Sequence, residues 1–190
     1  MTTTIDSTRT LSSIKFPFDE RKAKSAASVL LQQEGGRMPY IRLIKLLYLA
    51  DRESIDRRGR PIVGGRYVSM KYGPVLSEVL DLVRTGGLEW SEAVEKENHD
   101  VLLKGGPDLG ALSEEEIGIL QEAVEVYRTL DRWKLCDFTH GLPEWKDPKG
   151  SALDITPEDI LRALGKGDEA VEEARQEAQE RAYFDEFFGH

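Results

Sequence analysis

Apolar residues recur with a helical period through most of this chain. In ERKAKSAASVLLQQE, Ala23, Ala26, Ala27, Leu30 and Leu31 fall at helical spacing, with Asp19 placed to cap the start and Gly35-Gly36 to end it. The next stretch, PYIRLIKLLYLADRESIDRRG, is more apolar. Ile41, Leu43, Ile44, Leu46, Leu47, Leu49 and Ala50 leave only Arg42, Lys45 and Arg52 as clear polar interruptions. A helix that is apolar nearly all round is buried on most sides. It is expected to be the central helix, starting at Pro39 and stopping at Gly59. EEEIGILQEAVEVYRTLD follows a Ser113/Glu116 capping box and turns Ile117, Leu120, Val124 and Tyr127 inward. WKLCDFTH reads as a short helix ending at Gly141, and Thr156-Pro157-Glu158-Asp159 starts another that runs to Leu164. The last segment, GDEAVEEARQEAQERAYFDEFF, is helical by composition. Val171, Ala174, Ala178 and Ala182 form a narrow stripe, and Tyr183, Phe184, Phe187 and Phe188 gather at its end.

Two regions read as β. RPIVGGRYVSMKY holds Gly64-Gly65 between short β-prone pieces, the pattern of a small hairpin or an ordered loop. The run Tyr67 to Tyr72 stops at Gly73-Pro74, where Pro74 suits the first position of a third helix through VLSEVLDLVRT. LEWSEAVEKENHDVLLK places two short runs around Glu97-Asn98-His99-Asp100, a second hairpin signal. No long strands alternate with helices. The expected fold class is mainly α: a compact helical domain over 18–164 with one or two small β-hairpins. A flexible leader over 1–17 precedes it, and an appended acidic C-terminal helix over 165–190 follows.

Composition narrows the function classes. The chain has 190 residues, 39% hydrophobic and 32% charged, as for a soluble globular domain. No apolar run approaches the roughly 18 residues of a membrane span, and the Ser/Thr-rich start MTTTIDSTRTLSSIK lacks the apolar segment of a secretory signal. A cytoplasmic setting is the expectation. A net charge of −9 argues against a protein that coats nucleic acid. From Gly165 to His190, eight acids face Lys166, Arg175 and Arg181, a net of −5. Such a run is either a solvated helix face or a docking surface for a basic partner.

Candidate chemistry is sparse. Cys136 is the single cysteine, and His99, His140 and His190 lie far apart, so no thiolate cluster or paired-histidine metal site is read and no cofactor is called for. Phosphate-binding glycine loops and nucleophile elbows are absent. Cys136 and His140 are four residues apart, but Leu135 and Phe138 around the thiol point to a buried structural cysteine. Tyr48, Asp51 and Arg52 share one face of the central helix. They either lock the Gly59–Tyr72 segment, with its Arg66 and Lys71, onto that helix or line a pocket. His140 with Trp145 is either a structural corner or part of a partner groove. The terminal aromatics fold back on the domain or meet another chain.

The run IRLIKLLYLADRESIDRRGRPIVGGRYVSMKYGPVLSEV, followed later by THGLPEW, resembles the Panacea domain, also called the SocA-like antitoxin domain. The positions that carry the resemblance are Lys45, Leu46, Leu47, Tyr48, Ala50 and Asp51; Gly59, Pro61 and Tyr67; Gly73, Pro74 and Val75; and His140 with Trp145. It spans roughly residues 23 to 164. The resemblance implies a compact helical fold and, for many members, an antitoxin that binds its toxin protein directly. One founding member looks like a proteolytic adaptor, and many related genes occur in phages. Some relatives add a helix-turn-helix unit for DNA; this sequence shows none.

The expected function is therefore a non-enzymatic binder of a cognate toxin protein. The alternatives are an adaptor that delivers a client to an ATP-dependent protease, or a stand-alone phage-encoded interaction module. Direct nucleic-acid or membrane binding is not expected, and homo-oligomerisation stays open. Lys45, Tyr48, Asp51, Arg52, Tyr67, Lys71, Gly73, Pro74, His140 and Trp145 are read as scaffold. Tyr183, Phe184, Phe187 and Phe188, rimmed by Glu172, Glu173 and Glu180, are the nominated partner-binding residues.

Overall fold

The computed structural model of the protein describes residues 13–188, apart from the side chains of Asp185, Glu186 and Phe188. Helix α1 (Glu20–Gln33) begins at the expected cap, where the Asp19 carboxylate accepts from the Lys22 amide at 3.0 Å. Gly35 and Gly36, both at positive φ, turn the chain into a short strand β1 (Arg37–Pro39). Helix α2 (Tyr40–Arg58) follows at once and ends at Gly59, left-handed at φ +68°. Every residue of α2 from 42 to 51 is buried. The apolar run thus makes the central helix its composition predicts, but three charged residues, Arg42, Lys45 and Asp51, are enclosed with it.

The segment after α2 takes the ordered-loop form of the expectation and departs from it at Pro74. Residues 60–66 form an ordered loop, and the chain then enters a tight hairpin of β2 (Tyr67–Met70) and β3 (Gly73–Leu76), joined by Lys71-Tyr72. Pro74 therefore does not start a helix. It lies in β3, paired with Ser69, and helix α3 (Ser77–Thr85) begins three residues later. An edge strand tolerates proline because its missing N–H is not needed by a neighbour, and β3 is an edge: the strand order is β3-β2-β6. Pro39 likewise ends β1 instead of opening α2. The second hairpin appears as read. A one-turn helix α4 (Trp90–Ala93) leads into β4 (Val94–Glu97) and β5 (Asp100–Leu103), with Asn98 at φ +56° in the turn.

The remaining helices are α5 (Glu114–Val126) and α6 (Arg132–His140), then strand β6 (Leu153–Ile155), then α7 (Pro157–Ala163) and α8 (Asp168–Phe188). Both expected start signals are realised. Ser113 with Glu116 and Thr156 with Asp159 each form a reciprocal capping box. Each hairpin gains a third, distant strand: β1 pairs with β5, and β6 with β2. With eight helices and two three-stranded antiparallel sheets among the described residues, the architecture is mixed α and β. The expectation of a mainly helical domain is corrected to that extent.

α2 sits at the centre, packed by α1, α5, α6 and β3. Residues 13–17, read as part of a flexible leader, are docked. Ile14 is buried and its amide donates to Glu158 Oε1 at 2.8 Å, while the Phe16 carbonyl accepts from the Gly65 amide at 3.0 Å. Residues 1–12 of that leader lie outside the described residues. At the other end, α8 lies against α7, burying Val171 and Ala174, and Arg175 reaches Glu158 at 3.4 Å.

Gly73 is the tightest point of the hairpin. Its φ is +93°, and a Cβ there would stand 2.5 Å from Thr139 Oγ1 and 2.9 Å from Lys45 Nζ. At Gly35, with φ +78°, a Cβ would meet nothing within 4 Å. Gly35→Ala should therefore lose about 1 kcal/mol of stability from backbone strain alone, and Gly73→Ala at least about 2 kcal/mol more from crowding. Urea denaturation of the two variants checks this; equal losses would show that the crowding is relieved freely.

Candidate functional site

Four residues of α2, at positions 45, 48, 51 and 52, reach out to hold the segments that follow. Asp51, fully buried, spends both carboxylate oxygens on the 60–66 loop and the strand after it. Oδ1 accepts from the amides of Ile62 at 3.0 Å and Val63 at 2.9 Å. Oδ2 accepts from the Gly64 amide at 3.1 Å and the Tyr67 hydroxyl at 2.9 Å. A carboxylate has about four lone-pair sites, so none remains for a substrate. Burial pushes its pKa up to about 6, against the pull of those four donors.

Tyr48 and Arg52 converge on one acid. The Tyr48 hydroxyl donates to Glu144 Oε1 at 3.0 Å and Arg52 Nε to the same oxygen at 2.7 Å. Glu144 is itself buried, and its Oε2 has no hydrogen-bond partner among the described residues. Burial drives the Tyr48 and Tyr67 hydroxyls well above their ordinary pKa, which keeps both neutral as donors. Their rings meet edge to face, with centroids 5.9 Å apart, so the two acid-centred clusters share an aromatic wall.

Lys45 completes the set. Its ammonium is buried at the back of the hairpin and donates to the Pro74 carbonyl at 2.6 Å. Desolvation lowers its pKa to about 7. Cys136 is close by, and burial pushes its thiol upward, the opposite of what an activated thiolate requires. The front of the hairpin is held by the THGLPEW segment. Trp145 Nε1 donates to the Met70 carbonyl and His140 Nε2 to the Lys71 carbonyl, both at 3.2 Å, and the Lys146 amide donates to Ser69 Oγ at 3.2 Å. The His140 and Trp145 rings lie 4.3 Å apart.

All ten residues read as scaffold thus lie in one connected region: α2 behind, the loop and hairpin in the middle, the turn after α6 in front. Of the three residues read as a polar lock on the Gly59–Tyr72 segment, Asp51 bonds that segment, whereas Tyr48 and Arg52 bond Glu144 instead and Arg66 turns to Asp154. Lys71 contributes its carbonyl to the lock. Glu144 escapes a reading of the sequence, because it meets Arg52 from 92 positions away and no local spacing marks it. Thr139 and Ser69 escape it for the same reason.

The nominated partner-binding residues are elsewhere, on α8. Tyr183, Phe184 and Phe187 are each about 60% exposed, and the Tyr183 ring lies 4.5 Å from Phe187 and 6.3 Å from Phe184. Glu173 and Glu180 are exposed, while Glu172 pairs with Arg175. The Phe188 side chain lies outside the described residues.

A family model described as Antitoxin SocA-like, Panacea domain, matches residues 43–146, more than half of the chain. The chain belongs to this family. Every scaffold residue from Lys45 to Trp145 falls within the matched span, and α8 falls outside it. No curated protein and no solved structure matches the chain.

Removing Asp51 would strand three backbone N–H groups and the Tyr67 hydroxyl. Asp51→Ala should lose on the order of 4 kcal/mol, read by chemical denaturation, with hydrogen exchange accelerated first at Ile62, Val63 and Gly64. Lys45 gives a pH signature. Its pKa is about 7 folded and near 10.4 unfolded, so between those values the unfolded chain binds the extra proton and stability rises with pH. Asp51, raised in the folded state, works the other way, and its contribution falls as pH rises through about 6. Lys45→Met should remove a rise on the order of 2 kcal/mol between about pH 7 and 9, measured as the difference between the two proteins' urea midpoints. Parallel profiles would show that Lys45 keeps its proton when folded.

Proposed function

We propose that this member of the SocA-like antitoxin family acts in the cytoplasm as an antitoxin, binding a cognate toxin protein directly and covering its active or substrate-binding surface. The observation that carries the reading is a division of labour within the chain. Asp51 and Lys45 of the matched region are engaged in holding the loop and hairpin, and Tyr48 with Arg52 in holding Glu144, while the largest exposed aromatic cluster among the described residues, Tyr183, Phe184 and Phe187, stands at the end of an acidic helix. Saturation of Asp51 by four donors supports a binding role over a catalytic one.

The chemistry suits a basic partner. Aromatic side chains supply the buried anchors of an interface and the charged rim sets its approach. Acids such as Glu173 and Glu180 along the same helix would speed encounter with a positively charged toxin, as expected of one that handles nucleotides or RNA.

The test is co-expression with the adjacent open reading frame. Induced alone it should arrest growth; induced with this chain it should not, and the two proteins should co-purify. Replacing Tyr183, Phe184 and Phe187 together by Ala should weaken the complex at least about a hundredfold while leaving the thermal melt unchanged. A harmless neighbour sinks the antitoxin reading. Undiminished affinity in the triple variant removes α8 from the interface.

A further inference from the structure

The hairpin turn that His140 and Trp145 pin in place presents side chains the scaffold does not use. Tyr72, in the turn itself, is 49% exposed, and Trp133, in the first turn of α6, is 48% exposed. Their rings lie 5.8 Å apart. Lys71 Nζ sits 5.5 Å from the centre of the Tyr72 ring and the Arg132 guanidinium 5.2 Å from that of Trp133. Tyrosine, tryptophan and arginine are the residues most enriched at the energetic centres of protein interfaces.

Beside Tyr72 opens a groove of about 240 Å³ whose floor and walls include Tyr40, Ile41, Ile44, Met70 and Leu80, with Arg84 exposed along it. Its lining holds two exposed bases, Lys71 and Arg84, beside the buried Lys45, and no acid, although Arg84 also lies 4.0 Å from Asp81, in a chain of net charge −9. The volume is below the roughly 300–1,000 Å³ of small-molecule sites and suits one or two aromatic side chains. The face therefore selects an acidic segment with aromatic anchors. Such a segment is exposed on this same chain. The end of α8 presents Tyr183 and Phe187 at about 60% exposure, on a helix carrying eight acids against two bases.

We propose that the end of α8 from one copy docks on the Tyr72–Trp133 face of a second copy, seating an aromatic ring in the groove with its acids against Lys71, Arg84 and Arg132. Because each copy offers both halves of the contact, reciprocal docking closes a two-fold dimer with two equal interfaces. The inference does not depend on the toxin reading. Where both hold, toxin and second copy compete for α8.

Sedimentation of the full chain alone, over a wide concentration series, should show a reversible monomer–dimer equilibrium that weakens as salt screens the charged contacts. Two variant sets divide the contact. Tyr72→Ala with Trp133→Ala removes the face, and Tyr183→Ala with Phe187→Ala removes the anchors. All four side chains are about half exposed or more, and unchanged thermal melts verify folding. Each set alone should be monomeric at concentrations where the wild type is dimeric. Mixed together they should associate, because one intact anchor then meets one intact face. Arg132→Glu, which keeps every aromatic, should weaken self-association at least about tenfold. A wild type that stays monomeric overturns the proposal, as does a dimer indifferent to both sets or a mixture that fails to associate. Retention of a single-stranded oligonucleotide lost on Trp133→Ala, without self-association, would assign the face to nucleic acid and overturn it equally.

Discussion

A buried charge is costly unless its polar atoms find partners, and Asp51 imposes that condition on the middle of this protein. The carboxylate is completely buried, and its four donors all come from outside the helix. Three of them are consecutive amides, those of Ile62, Val63 and Gly64. Their convergence on one side chain requires the loop to fold around it, and Gly64 and Gly65, at φ of +74° and +89°, permit that path. Tyr67 supplies the fourth donor and is the first residue of β2. One side chain thus sets both the shape of the loop and the point where the hairpin begins.

The same logic passes through Lys45 to the other strand. A buried ammonium needs an acceptor, and the Pro74 carbonyl provides it. Proline leaves the outer edge of β3 without a donor, but its carbonyl remains free to turn inward. Gly73 lets the backbone pass so close to Lys45 and Thr139 that a Cβ would crowd both side chains. Each polar group on α2 therefore fixes a different piece of the neighbouring chain: Asp51 the loop, Lys45 the back of the hairpin, and Tyr48 with Arg52 the Glu144 turn. Arg42 adds a fourth, reaching the Leu130 carbonyl and Glu34.

What is legible in the sequence is what local chemistry encodes. Capping residues place the starts of α1, α5 and α7, and glycines mark the ends of α1 and α2. The unbroken apolar run identifies the central helix. β1 and β6 are not legible, because three-residue strands such as Arg37-Met38-Pro39 and Leu153-Asp154-Ile155 carry no alternation and pair with partners far along the chain. Gly73-Pro74 misleads for a related reason. A proline after a β-prone run has the local signature of a helix start, and only the strand order shows it to be an edge position. In the site, Asp51 and Lys45 stand out as charges in an apolar helix. Glu144 does not, since nothing near it in sequence needs a carboxylate.

The division between what α2 holds and what it leaves exposed bears on function. The loop, the hairpin and the Glu144 turn are cross-linked by buried charge, so they present the hairpin tip with little freedom. The tip's carbonyls are tied to His140 and Trp145, but the Tyr72 side chain is not needed for that and faces outward beside Trp133. A fixed turn lowers the entropy lost when such side chains bind. α8 differs: its first half is anchored through Val171, Ala174 and Arg175, and its second half offers aromatics and acids to whatever approaches. The cationic, aromatic tip lies within the region that defines the family and the acidic, aromatic helix end lies outside it. A chain that carries both is chemically complementary to itself, and any partner that binds one of the two surfaces must contend with the other.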